Sequence, residues 1–243
     1  CFMKYTSAQV AKMIDQTLLK PFSTTEDFRA FCATSAAYHF KMVAINSAPV
    51  RKCKAFLKDS DVLVGAAIGF CLGQTPIACK VFETRQAILD GADEIDYVVN
   101  VGELKSGNLA YIEKEMRSIV DVCREYERTV KVIFENCYLT EDEKKALCDI
   151  ALKVRPDFIK TSTGFGTGGA TVEDVRLMKR CVGDAIQVKA AGGIRSLADA
   201  KAMLSAGATR LGTSAGTKII DELNAAGGLF ICDDFIFDTS NVK

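Results

Sequence analysis

The sequence predicts an α/β fold, a single (β/α)8 barrel running over residues 1–243, and three observations predict it. Short β-prone apolar runs recur with roughly 20 to 36 residues between successive starts, room each time for a crossover helix. The runs are near-continuously apolar rather than alternating, which is the pattern of parallel strands covered on both faces. No linker, low-complexity tract or shift of composition divides the chain, and α/β barrels reach about 250 residues as one domain.

Each element has its own justification. A first helical pattern, a short N-terminal helix, leads into Asp15-Gln16-Thr17-Leu18, taken as the first barrel strand. The other seven runs are Val43–Ile45, Val62–Ala67, Ile95–Val99, Val130–Phe134, Phe158–Ile159, Ile186–Val188 and Arg210–Gly212. Helix starts are announced by Thr24 with Asp27, Thr140 with Glu143, Thr171 with Asp174 and Ser196 with Asp199, each a hydroxyl followed three residues later by an acid. Ile112, Met116, Ile119, Val120 and Cys123 share one helical face, the spacing of a core-facing stripe. Gly91 and Gly207 sit where helices should end. The stretch from Val62 to Cys79 is uncharged and nearly long enough to span a bilayer. Its glycines at 65, 69 and 73 and its Pro76 read instead as a strand, a loop and a helix start. From about residue 225 an apolar tail follows, including Leu229–Phe237.

Composition narrows the function classes. With 31 basic and 31 acidic residues the net charge is zero, so no whole-chain footprint for nucleic acid or an anionic membrane exists. The ten cysteines are scattered through periodic apolar segments without a C-x-x-C pair. Cys32, Cys123, Cys148 and Cys181 fall where a helix needs a small buried hydrophobe. Structural thiols in a reducing compartment are the expectation, and a single histidine, His39, gives poor support for a zinc site. The opening residues lack a signal-peptide pattern, so a cytoplasmic location is expected.

Charged residues embedded in strands carry the chemical signal. Asp15, Asp96, Lys160 and Lys189 sit within or at the ends of apolar runs, where an isolated charge costs several kcal/mol unless paired. Taken singly, each is as well explained by solvent exposure or a structural ion pair. Two lysines and an aspartate at matching strand ends, the face where barrels keep their active sites, favour chemistry. Two ammonium groups in proximity repel, lowering the pKa of one, and a neutral lysine is a nucleophile for carbonyls. Gly192-Gly193-Ile194-Arg195 and Gly212-Thr213-Ser214-Ala215-Gly216 follow the last two strands, where barrels frequently bind phosphate through backbone amides. Gly164, Gly166 and Gly169 satisfy G-x-G-x-x-G, but the acid Asp184 precedes the next strand instead of ending it, so a dinucleotide site fails its context test.

Four segments together carry a family resemblance: Asp15-Gln16-Thr17-Leu18-Leu19-Lys20-Pro21, Glu94-Ile95-Asp96, Phe158-Ile159-Lys160-Thr161-Ser162-Thr163-Gly164-Phe165 and Val188-Lys189-Ala190-Ala191-Gly192-Gly193-Ile194-Arg195. From about Tyr5 to about Ile220 the chain resembles the deoxyribose-phosphate aldolases, metal-free class I aldolases on a (β/α)8 barrel. The resemblance implies reversible cleavage of a phosphorylated deoxy sugar with no cofactor and no metal. It makes Lys160 the Schiff-base lysine, Lys189 its perturbing partner, and Asp96 the carboxylate that moves protons through water. It makes Asp15, Thr161, Gly164, Phe165, Gly192, Gly193, Gly212, Thr213 and Ser214 substrate-binding residues, several of them in a phosphate cradle. The expected partners are a small phosphorylated sugar and other copies of the chain in a dimer or tetramer, with neither nucleic acid nor membrane. Three positions depart from the pattern: Gln16 where the family often has His, Ala44 where many members have Cys, and an ending Asp238-Thr239-Ser240-Asn241-Val242-Lys243 where some end in Tyr. Another Schiff-base barrel aldolase, or an inactive sugar-phosphate-binding protein on the same fold, are the rival readings.

Overall fold

Eight parallel strands hydrogen-bond in chain order and the last returns to the first, closing a barrel. This architecture comes from a computed structural model that describes residues 2–233. The strands are β2 (Ile14–Thr17), β3 (Met42–Asn46), β4 (Leu63–Ile68), β5 (Glu94–Val98), β6 (Thr129–Ile133), β7 (Phe158–Lys160), β8 (Gln187–Ala191) and β9 (Arg210–Thr213). They are preceded by β1 (Phe2–Thr6) and followed by β10 (Leu229–Asp233). The helices are α1 (Ser7–Ala11), α2 (Thr25–Ala37), α3 (Val50–Phe56), α4 (Ile77–Leu89), α5 (Val101–Lys105), α6 (Leu109–Glu125), α7 (Glu141–Val154), α8 (Val172–Val182), α9 (Leu197–Ser205) and α10 (Gly216–Ala225).

The α/β barrel expected from the sequence is thus the fold, with each of the eight expected strands found within a few residues. Two of the differences share a cause. The expected runs at Phe158–Ile159 and Ile186–Val188 stop before a lysine, whereas β7 runs through Lys160 and β8 through Lys189 to Ala191. Charge ends an apolar run without ending the strand, because these lysines find carboxylates inside the barrel. Thr24 and Thr140 form reciprocal capping boxes with Asp27 and Glu143. Thr171 and Ser196 also cap their helices, each accepting from the amide three residues on. Gly91 and Gly207 follow the last turns of α4 and α9 with φ +110°, a conformation that favours glycine.

The tail beyond residue 225 is more than an apolar end. Leu229–Asp233 pairs antiparallel with Phe2–Thr6 as a two-stranded sheet outside the barrel. Phe230 is fully buried there beside the Tyr5 ring, 6.1 Å between centroids. The remainder of the Leu229–Phe237 run and the chain end lie outside the described residues.

Two layers separate by chemistry. Val43, Ile45, Val64, Ile95, Val130, Val132, Ile159, Val188 and Leu211 belong to the aliphatic core shared with the helices, which includes the α6 stripe of Ile112, Met116, Ile119, Val120 and Cys123. Each such side chain contributes about 1.5–3 kcal/mol by burial. Intervening strand residues meet inside the barrel, and there the contents are ionic: Asp15, Glu94, Asp96, Lys131, Lys160, Lys189 and Arg210 are all buried. The register sets Asp96 beside Lys131 and Lys160 beside Lys189 on paired strands.

Candidate active site

At the C-terminal ends of the strands a cavity of about 660 Å3 opens, with Asp96 and Lys160 in its lining. Its walls come from Leu18 to Lys20 after β2, Thr163 to Phe165 after β7, Gly192 to Arg195 after β8 and Gly212 to Ser214 after β9. Six of the eight strands deliver the charged centre. Lys160 Nζ donates to Asp96 Oδ2 at 2.9 Å, and Lys189 Nζ donates to the same oxygen at 2.7 Å. Lys131 Nζ holds the other Asp96 oxygen at 2.8 Å and Glu94 at 2.5 Å. Below them Lys189 Nζ lies 2.5 Å from Asp15 Oδ2, and Arg210 bridges Asp15 and Glu94.

Four basic groups therefore share three carboxylates. One proton is in surplus, and the environment of Lys160 shows where it is least welcome. Burial pulls the Lys160 pKa down, Asp96 pulls it back up, and Lys189 and Lys131 push it down again, leaving it at about 8. The sequence reading credited Lys189 with the depression; desolvation is the larger cause and Lys189 adds to it. Lys131 and Arg210 also lose solvation, but their carboxylate partners more than offset it and both pKa values rise. Asp96 and Asp15 are opposed by burial, yet their surrounding cations hold both carboxyls below the ordinary range. Lys160, the amine that faces the cavity, is thus able to be neutral near physiological pH.

Nine of the expected site residues line the cavity: Asp96, Lys160, Gly164, Phe165, Gly192, Gly193, Gly212, Thr213 and Ser214. Lys189 does not; it is fully buried beneath and reaches the site through Asp96. Asp15 and Thr161, also expected at the substrate, do not line the cavity. Asp15 is fully buried between Lys189 and Arg210 under the cavity floor. The Thr161 hydroxyl donates to the Ala191 carbonyl and accepts from its amide, pinning β7 to β8. Lys131, Glu94 and Arg210 were missed, although a lysine between Val130 and Val132 is the same signal that marked Asp15, Asp96, Lys160 and Lys189. Lys20 and Arg195, both exposed in the cavity wall, were quoted within motifs but not selected.

The two glycine loops form one side of the cavity wall. Gly192 and Gly193 have φ of +86° and +81°, and a side chain at Gly193 would project into open space. Thr213 donates its hydroxyl to the Ile194 carbonyl at 2.6 Å and accepts from the Ala215 amide, tying the two loops together. Gln16 explains its own departure from the family pattern: its Nε2 donates to the Ser214 carbonyl at 3.2 Å and its Oε1 accepts from the Gly216 amide at 3.0 Å. It is a clip between β2 and the start of α10, whose N-terminus favours negative charge. In the Gly164–Gly169 segment, Gly169 packs so closely on the Gly192 backbone that a side chain would not fit, so that glycine serves loop packing.

Residues 9–222 match the family described as DeoC/LacD family aldolase. A Lactobacillus acidophilus protein named deoxyribose-phosphate aldolase is 54% identical over 221 residues, covering 91% of this chain and 93% of its own. A Bacteroides thetaiotaomicron protein of the same name is 53% identical over 213 residues, 88% of this chain and 90% of its own. The tetrameric deoxyribose phosphate aldolase of Aeropyrum pernix superposes with a TM-score of 0.85 at 30% identity, covering 91% of this chain and 93% of that one. Identity at this level across nearly the whole barrel leaves one assignment: the chain belongs to the DeoC/LacD family of aldolases.

Proposed function

We propose that this aldolase cleaves 2-deoxy-D-ribose 5-phosphate reversibly to acetaldehyde and D-glyceraldehyde 3-phosphate through a Schiff base on Lys160. The observation that carries the reading is a buried lysine with a pKa of about 8, sharing Asp96 with a second lysine in the wall of a cavity that ends in a glycine-rich recess. The substrate is taken from the named relatives, and Gly193 and Ser214 in the cavity wall, with Lys20 and Arg195 as cations in the same wall, would receive its phosphate.

Neutral Lys160 adds through Nζ to C1 of the open-chain sugar, and the carbinolamine loses water to give an iminium. Removal of the C3 hydroxyl proton lets that oxygen become a carbonyl while the C2–C3 bond breaks. Its electron pair moves to C2 as the enamine, and glyceraldehyde 3-phosphate departs. Protonation at C2 restores the iminium, and water releases acetaldehyde and the free amine. Asp96, already hydrogen-bonded to both lysines, is the group that accepts and returns protons, through water where it does not reach the carbon directly. No protein group other than Lys160 becomes covalently attached.

Borohydride added with acetaldehyde reduces an imine irreversibly, and mass mapping should find one two-carbon adduct, on Lys160. Lys160→Ala should neither trap nor cleave. An adduct on Lys189 would reverse the assignment of the two lysines, and no adduct at all would leave a sugar-phosphate-binding protein as the better reading. A cytoplasmic homo-oligomer, dimer or tetramer, goes with the proposal; the Aeropyrum pernix relative is tetrameric. Among the described residues no helix is long and apolar enough to cross a membrane.

A further inference from the structure

Beside the substrate cavity lies a second chamber of about 350 Å3, lined mostly by apolar side chains (Leu72, Val98, Val101 and Tyr138 among them), with Gln74 and Glu135 at its wall. Among the described residues, Phe165 is the one that lines both spaces. Its ring stands edge-on against Phe70, 5.4 Å between centroids, and is half exposed. A single aromatic side chain therefore forms the partition between the reacting centre and an apolar space next to it.

The partition is held from behind. Backbone pairing beyond the ends of β6 and β7 continues through Phe134 to Lys160 and Asn136 to Thr161, both 2.9 Å, and then stops. Glu135 extends it with its side chain: one carboxylate oxygen accepts the Thr163 amide at 3.1 Å and the other accepts the Thr163 hydroxyl. The same hydroxyl accepts the Phe165 amide at 3.0 Å. Glu135 is buried, has no ion-pair partner among the described residues, and adopts φ +57°, ψ +61°. A non-glycine residue in the left-handed region with a buried carboxylate, at the C-terminal end of a barrel strand, is maintained at a cost that packing alone does not explain.

We propose that Phe165 determines acceptor specificity by closing this chamber, and that Glu135 is a positioning residue that fixes Phe165 through Thr163. With the partition in place, an acceptor aldehyde extends toward the glycine recess and is selected for its phosphate. With it removed, the chamber becomes a subsite for an aldehyde carrying an uncharged aliphatic substituent. The chemistry is the same in both cases: the Lys160 enamine forms a bond from its C2 to the acceptor carbonyl carbon, and the carbonyl oxygen takes up a proton. The inference rests on the Schiff-base reading above.

The test is acceptor selectivity with acetaldehyde as donor, measured as the ratio of kcat/KM for hexanal over propanal. Discrimination in an apolar pocket is worth about 10- to 200-fold per methylene at best, so Phe165→Ala should raise the ratio at least tenfold and Phe165→Leu by less. Glu135→Ala should raise it in the same direction, and Glu135→Gln, which keeps an acceptor for the Thr163 amide, by less. Because Glu135 acts through Phe165, Phe165→Ala combined with Glu135→Ala should match Phe165→Ala alone, whereas independent effects would add. An unchanged ratio in Phe165→Ala that still gives the borohydride adduct on Lys160 overturns the inference alone. Additive effects of the two substitutions overturn the role of Glu135. Absence of the adduct in the unmodified protein removes the Schiff-base reading and this inference with it.

Discussion

One carboxylate oxygen, Asp96 Oδ2, accepts from two lysines, Lys160 and Lys189, and so ties the cavity amine to a buried one. For Lys160 the consequences have definite signs. Its pKa of about 8 is the net of burial and the two neighbouring ammonium groups pulling down against Asp96 pulling up. Imine formation, which needs the neutral amine, should therefore rise through pH 8 and level off above it. Lys189→Leu removes a downward influence, so the limb should move to higher pH; Asp96→Asn removes the upward one, so it should move lower. Borohydride trapping rates across pH 6 to about 10 measure both shifts, an opposite-signed pair that nonspecific damage to the site would not produce. Asp96→Asn should also lower turnover by ~10²–10⁴, the usual size of a general acid–base contribution, while trapping survives. Normal cleavage by that variant would remove Asp96 from the proton relay. Asp96, Lys160 and Lys189 were legible in the sequence because charge inside an apolar strand is conspicuous. Lys131 carries the same mark, but no family motif drew attention to it.

Elements convert these side chains into a site by where they stop. The eight barrel strands were legible because each carries its own apolar run, and the helix starts were legible because capping uses residues three apart. What stayed hidden depends on distant partners: β1 pairs with β10 across almost the entire chain, and no local turn announces either strand. Gln16 was equally opaque. In sequence it is a substitution for a histidine; in the fold it is the clip that joins β2 to the loop before α10. Removing it leaves the Ser214 carbonyl and Gly216 amide without those partners, at about 1–3 kcal/mol if they are not rehydrated. Gln16→Ala should accordingly lower kcat/KM for the phosphorylated sugar by roughly 10-fold or more, and change that for 2-deoxyribose much less. Equal losses on both sugars would mean the clip supports the barrel and not the anion recess. Gly193→Asp tests the recess itself, since a carboxylate projecting into the open space above that residue repels the phosphate. Losing two charge-assisted hydrogen bonds there would cost about 3–6 kcal/mol, roughly 10²–10⁴ in kcat/KM.

At the scale of the whole molecule, stability and reactivity come from different layers. The aliphatic shell between strands and helices stabilises the fold, while the barrel interior holds an ionic cluster that breaks even at best, since desolvation of buried ions rivals their attraction. Within the cluster the carboxylates and Lys160 act oppositely on stability. Asp15 and Asp96 have depressed pKa values, so their contribution is present above the ordinary value of 3.8 and is lost as pH falls below it through their folded-state values. Lys160 is a base with a depressed pKa: between about 8 and 10.5 the unfolded chain binds its proton and the folded one does not. Stability therefore rises with pH across that window, and at pH 7 the molecule carries a penalty on the order of 3 kcal/mol for this one group. The penalty is the thermodynamic counterpart of a reactive amine, because the same desolvation that costs stability keeps Lys160 neutral enough to attack a carbonyl. Lys160→Met leaves three basic groups facing three carboxylates and fills the same volume with an uncharged chain. This variant should be inactive and yet melt higher than the unmodified protein at pH 7, with the difference shrinking as pH is raised from 8 toward 10.5. Thermal unfolding of the two proteins at pH 7, 8, 9 and 10 measures the gap. A gap that stayed constant across those pH values would mean Lys160 titrates alike in the folded and unfolded chains, and the strained amine on which the proposed chemistry depends would not exist.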